Sequence, residues 1–261
     1  LLSAGGLDAV VLSTPNDLHH PQALAAIDAG LHVVCEKPLA LDLARAREMA
    51  ARAAAARRAA LTFFTHRAVA AAAHVKRLVD DGFLGRPVHA SALYLSASHL
   101  RPEKPLSWRM VRASSGTGVL GDIGSHVVDL VRWWLGDFAR VAGQWQTVTR
   151  ERAGGAADAD EDVSFLAELA CGAQADFHAS KLAAGRGNTQ RIELHGTAGT
   201  LVYEADPGFE PGWAGRVLAG RPDAYGLAPL VPPRELVLGL DGPDERANRA
   251  GADRRLTDPF F

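Results

Sequence analysis

Ala9-Val10-Val11-Leu12, Leu31-His32-Val33-Val34-Cys35 and Leu61-Thr62-Phe63-Phe64 decide the fold. Each is a short apolar run without the alternation of a half-wetted strand, as expected of strands buried on both faces. Helical stretches separate them. Thr14-Pro15-Asn16-Asp17 breaks the first run with turn chemistry. Pro21 suits a first helical turn and Gly30 the position past a helix end, with Leu24 and Ile27 on one face between them. Pro38 ends the second run, and residues 42–60 are dense in strong helix formers. Strands alternating with helices predict a parallel sheet with right-handed crossovers. Ligands of such sheets bind beyond the carboxyl ends of the strands. There this chain carries Thr14-Pro15-Asn16, Glu36-Lys37-Pro38 and Thr65-His66-Arg67.

Downstream the pattern changes. Residues 66–81 read as a helix stopped by Gly82, and residues 88–95 as a strand. Residues 96–118 are loop-like, and a helix follows over about 120–135, stopped by Gly136-Asp137. Trp133 and Trp134 on it read as core aromatics. Strand-like stretches come next at 140–148, 163–169, 174–178, 191–195 and 200–203, separated by turn residues. They predict an antiparallel sheet. The class is therefore α/β followed by α+β, with the change near Phe64–Arg67. Residues 204–261 show no usable periodicity.

Composition narrows the function classes. The chain has 261 residues, 48% apolar and 22% charged, which is globular usage. A net charge of −2 argues against a whole-surface grip on nucleic acid or anionic membrane. Arg45, Arg47, Arg52, Arg57 and Arg58 read as a solvated helix face. Cys35 and Cys171 cannot build a disulfide framework and lack zinc-site spacing. No apolar run of about 18 residues is present, the length a membrane helix needs. Ser115 and Ser125 lack the nucleophile-elbow context of a serine hydrolase.

Two constellations carry possible chemistry. In Glu36-Lys37-Pro38, a Lys at the end of a buried strand is either partly desolvated and suited to proton transfer, or a solvated turn residue. Pro38 pins the backbone and admits a cis bond. In Gly121-Asp122-Ile123-Gly124-Ser125-His126-Val127-Val128-Asp129, Asp122 and His126 are four apart and share a helix face. A carboxylate beside a His suits general acid/base work. A helix cap with a packed His, or a metal site with Asp129, are the competing readings.

These residues resemble the Gfo/Idh/MocA oxidoreductases. The likeness rests on Thr14-Pro15-Asn16, His19 and the run from Ala29 through Glu36-Lys37-Pro38 to Ala40. It continues in Trp108-Arg109, in Gly118 to His126 with Asp129 and Trp134-Leu135-Gly136, and in Ile192 to Leu201. The resemblance implies the C-terminal half of a Rossmann-type NAD(P)-binding domain over residues 1–65. Residues 66–261 would form a substrate-binding and oligomerisation domain with an open, mainly antiparallel sheet. It implies that His126 exchanges the hydroxyl proton while Lys37 and Asp122 hold the reacting hydroxyl. Thr14, Pro15, Asn16, His19, Glu36 and Lys37 would line the nicotinamide site, with Trp108 and Arg109 approaching from the second domain. His66 and Arg67 would touch substrate, although the Pro that usually follows them is absent. A cis bond at Lys37–Pro38 is expected, and no metal.

The implied activity is hydride transfer between NAD or NADP and a sugar, cyclitol or related polyol, in a cytoplasmic homodimer or homotetramer built on the sheet. Two other readings stand beside it. One is a glycoside hydrolase or lyase of the same fold that oxidises its sugar transiently. The other is a non-catalytic chain, because the G-x-G-x-x-G loop that grips the pyrophosphate is not in this sequence. Gly5-Gly6 precedes a strand instead of following one. With Leu1 in place of Met, the expectation is a fragment that binds NAD(P)H poorly.

Overall fold

The computed structural model describes residues 2, 5–206, 215–233 and 236. The first third is β1 (Ala9–Leu12), α1 (Asn16–Asp28), β2 (His32–Cys35), α2 (Leu43–Ala55) and β3 (Ala60–Thr62). The three strands form a parallel sheet in the order β1-β2-β3, with Leu12 beside Cys35 and Cys35 beside Thr62. Val10, Leu12, Val33 and Cys35 pack against Ala23, Ile27, Met49 and Ala53 of the two helices. The alternation of apolar runs and helix formers thus gives the predicted parallel sheet, but only β2 is close to buried on both faces: Val11 of β1 is 60% exposed, and no residue of β3 is fully buried.

Boundaries moved where local chemistry competed. Helix α1 begins at Asn16, so Pro21 lies inside it and not in its first turn. Pro21 deprives the Asp17 carbonyl of a helical donor. Both residues are exposed, where water takes its place. Helix α2 ends at Ala55, earlier than expected, and its start is capped by Asp42, which accepts from the Arg45 N–H at 2.8 Å. Strand β3 releases the chain after Thr62, because the Phe64 and Thr65 N–H groups bond back to the Thr62 and Phe63 carbonyls.

The helix expected over 66–81 is two pieces. A 3₁₀ turn, Thr65–Ala68, is followed by an extended Val69 and then α3 (Ala70–Asp80). Next come β4 (Pro87–Leu95), a 3₁₀ turn at Trp108–Met110, α4 (Arg112–Ser115), a π-helical turn at Leu120–Gly124 and α5 (Ser125–Leu135). The rest is strand: β5 (Phe138–Gln146), β6 (Glu151–Arg152), β7 (Gly155–Ala156), β8 (Asp162–Leu169), β9 (Gln174–Ser180), β10 (Thr189–Gly196), β11 (Thr200–Ala205), β12 (Arg216–Gly220) and β13 (Ala228–Leu230).

Eight of these strands form one open sheet, ordered β13-β12-β11-β10-β4-β9-β8-β5. Every neighbouring pair is antiparallel except β4 and β9. Helices α3 and α5 cover one face, with Val75, Leu130, Val131 and Trp134 against Ala90, Ala92, Ile192 and Leu194. The Trp134 indole donates to the Ala72 carbonyl at 3.1 Å, a core role as predicted. Strands β12 and β13 lie where the sequence carried no periodic signal. Residues 207–214, 234, 235 and 237–261 of that stretch lie outside the described residues.

Candidate active site

The turns after β1, β2 and β3 lie at the carboxyl edge of the parallel sheet, and His19 ties two of them together. This buried ring sits 2.9 Å from the Pro38 carbonyl through Nδ1 and 3.0 Å from the Thr14 carbonyl through Nε2. The Lys37–Pro38 peptide is cis, as expected. Thr14 Oγ1 donates to Gln22 Oε1 at 2.9 Å, and Pro15 is the residue before helix α1. Asn16, also buried, donates to the Ser115 carbonyl at 3.0 Å, linking this edge to the second half of the chain.

Lys37 crosses the same seam. Its Nζ donates to the Asp122 carbonyl at 2.6 Å and to Asp122 Oδ1 at 3.2 Å. Asp122 stands on the π-helical turn that replaces the start of the expected continuous α-helix. Its other oxygen accepts from Lys181 Nζ at 2.5 Å, and Arg109 Nε stands 3.6 Å from Oδ1. Burial opposes ionisation of Asp122, but Lys181, Lys37 and Arg109 prevail and hold its carboxyl well below the usual range. Asp122 is therefore a fixed anion.

His126 follows on α5. It shares with Lys37 and Asp122 a cavity of about 300 Å³, lined also by Glu36, His66 and Tyr94. The His66 and His126 rings stack with centroids 3.7 Å apart, and Phe64 meets His126 edge-on at 6.1 Å. The guanidinium of Arg109 lies 4.3 Å over the Trp108 ring.

Three of the anticipated groups are engaged with other groups of the chain. Arg67 grips Asp129 through two bonds of 2.7 and 2.6 Å and lies 5.5 Å over the Trp133 ring, so that cation and carboxylate serve each other. Among the described residues, no three His, Cys, Asp or Glu gather as metal ligands around Asp129. Asn16 and His19 are spent on bonds to the backbone. Lys181, Tyr94 and Asn188 escaped the sequence reading. The available signal for Lys181 was a single cation just past the strand Gln174–Ser180, which surfaces beside Asp122 only through long-range pairing.

The donor set suits the nicotinamide half of a dinucleotide. Asp122 is a paired anion, Lys37 offers N–H groups, His126 presents an imidazole, and aromatic rings close the cavity. Lys37 stands at the end of β2, and Asp122 and His126 face it from the π-helical turn and α5, so the cavity opens at the strand ends where such ligands bind.

Known proteins agree with this anatomy. Residues 1–64 match the oxidoreductase family with an NAD-binding Rossmann fold, and residues 72–202 match the GFO/IDH/MocA C-terminal domain. Levoglucosan dehydrogenase of Pseudarthrobacter phenanthrenivorans is 34% identical over 74% of this chain and 54% of its own length. The 1,5-anhydro-D-fructose reductase of Ensifer adhaerens is 37% identical over 75% of this chain and 56% of its own. The chain thus spans little more than half the length of these relatives. Among solved structures, an oxidoreductase domain protein from Kribbella flavida superposes with a TM-score of 0.86 at 33% identity, over 99% of this chain and 71% of that one. A levoglucosan dehydrogenase in complex with NADH and L-sorbose gives 0.88 at 27% identity, over 99% and 72%. The chain belongs to the GFO/IDH/MocA family of oxidoreductases.

Proposed function

We propose that this protein works in an NAD(P)-dependent dehydrogenase that oxidises a hydroxyl-bearing carbon of a sugar, cyclitol or related polyol, and reduces the carbonyl in reverse. The observation that carries the reading is the Lys37–Asp122 bond across the seam, with His126 in the same cavity. Relatives named levoglucosan dehydrogenase and 1,5-anhydro-D-fructose reductase support the substrate class.

When bound, the nicotinamide supplies the hydride acceptor or donor. Lys37 donates to the reacting oxygen, stabilising the negative charge that grows there as the C–H bond breaks. Asp122 fixes the Lys37 ammonium, and the hydroxyl proton passes to His126. Glu36, the turn from Thr14 to Asn16, and Trp108-Arg109 flank the nicotinamide, with His19 holding the turns in place. His66 borders the substrate. The change from the NAD(P)-binding half, 1–65, to the substrate half, 66–261, falls between β3 and α3. Val141, Trp145 and Leu166, all exposed near the β5 edge of the large sheet, support self-association there.

The test is nicotinamide absorbance of the purified gene product with NAD⁺ or NADP⁺ and a panel of polyols. Net reduction of the cofactor is the expected result, with His126→Ala lowering turnover by ~10²–10⁴. Cleavage of a glycoside without net reduction would replace this reading by the transient-oxidation one.

A further inference from the structure

The His66 and His126 rings lie face to face at van der Waals distance. The ring planes are 11° apart and the centroids 3.7 Å, and both residues are more than nine-tenths buried. They arrive from separate elements, the Thr65–Ala68 turn and α5. At this distance a proton on one ring opposes a proton on the other, since like charges disfavour each other's ionised form. Groups this close titrate as a pair.

We infer that His66 and His126 share the first proton they bind and resist the second, which makes His66 a positioning residue for the charge of His126. As pH falls, the first proton divides its time between the two rings. While it sits on His66, His126 resists protonation. His126 thus remains a proton acceptor to lower pH than it would alone. The role rests on the proposed chemistry of His126, but the coupling does not.

Other charged and titratable groups face the pair from every side. Glu36 and Lys37 come from the turn after β2, Asp122 from the π-helical turn, and Tyr94 from β4. Lys181 reaches in behind Asp122 from the end of β9, and Arg109 stands on its other side. The Arg67–Asp129 pair is next to His66 in sequence and one turn beyond His126. Replacing His66 leaves all of these groups in the chain.

The decisive measurement is an NMR titration of the imidazole signals in the 261-residue chain, without substrate or cofactor. In the unmodified chain both rings should respond to a shared first step, with a second step at least about one pH unit lower. In His66→Phe, which keeps a ring but not a titrating one, His126 should titrate in one step with its midpoint moved to higher pH. His66→Gln should do the same without a ring. Independent single-step curves in the unmodified chain overturn the inference, whether or not either variant folds. So does a His126 midpoint unchanged in both variants. A dehydrogenase assay adds a kinetic arm, in which the acid limb of kcat/KM moves to higher pH in His66→Phe. A merely packed His66 would alter melting temperature and leave that limb in place. Because the titration needs no turnover, its failure leaves the proposed function standing, and a failed dehydrogenase assay leaves the titration decisive.

Discussion

Asp122 gathers cations from distant parts of the chain. Lys37 is 85 residues before it and Lys181 is 59 after it. Lys181 is almost fully buried, so its charge is held by Asp122 and not by water. Lys181→Met should raise the Asp122 carboxyl toward its ordinary range and destabilise the chain by about 1–3 kcal/mol, the cost of leaving a buried charged group short of a partner. Lys181→Arg should recover part of that loss, because a charge is restored. Urea unfolding of both variants at neutral pH checks the pair. Equal midpoints for Met and Arg would mean that Lys181 contributes packing and no charge.

At the scale of elements, the turn carrying Asp122 is built on Asp160. Its buried carboxylate accepts from the Gly118 N–H at 2.6 Å and the Leu120 N–H at 2.8 Å. Two donors at a helix start are thereby satisfied by one side chain. The approach is close enough that a Cβ on Gly118 would lie 1.9 Å from the Asp160 carbonyl oxygen. Gly118→Ala should therefore displace the turn and cost several kcal/mol, among the larger effects of point substitutions. Asp160→Ala should cost about 1–3 kcal/mol. A melting temperature unchanged in Gly118→Ala would rule out this packing. Here sequence reasoning reached its limit. Spacing brought out Glu36-Lys37-Pro38 and the Asp122–His126 pair because each lies within one local segment. It missed the π-helical turn because Asp160, which holds the turn, is distant in sequence. Lys181 escaped for the same reason. Pro21 misled for the opposite one, since a strong local preference yielded to a helix that water could complete.

Across the whole molecule, the two halves of the chain meet at the cavity, and polar bonds cross between them. Asn16 reaches the Ser115 carbonyl and Lys37 reaches Asp122. Gly116, at φ 77°, passes so near Leu41 that a Cβ would come within 3.0 Å of its carbonyl oxygen. Farther out, Arg152 donates to Glu161 at 2.7 Å and to the carbonyls of His99 and Arg101 at 2.9 Å each. It thereby clasps the loop after β4 to the hairpin of β6 and β7. Burial works against ionisation of Glu161, yet His99, Arg152 and the N–H groups of Val148 and Thr149 pull its carboxyl down to about 2 from 4.5. Burial likewise opposes Asp162, which Ser180 and His178 hold below its ordinary value of 3.8, and Asp122 is held down by its lysines. All three shifts have one sign. In acid the unfolded chain binds these protons before the native one does, so the stability they contribute is complete above about pH 5 and falls as pH drops toward 2. Urea midpoints should be level from pH 7 to about 5 as far as these carboxyls are concerned, then decline. Glu161→Gln separates the buried Arg152–Glu161 pair from the rest. Its midpoint at neutral pH should fall by an amount worth about 3–5 kcal/mol, because Arg152 is left buried without its anion. Below pH 5 its curve should also be flatter than that of the unmodified chain, since one of the three proton-linked groups is gone. Two curves that run parallel through the acid range would show that Glu161 is not among the groups whose protonation unfolds this protein.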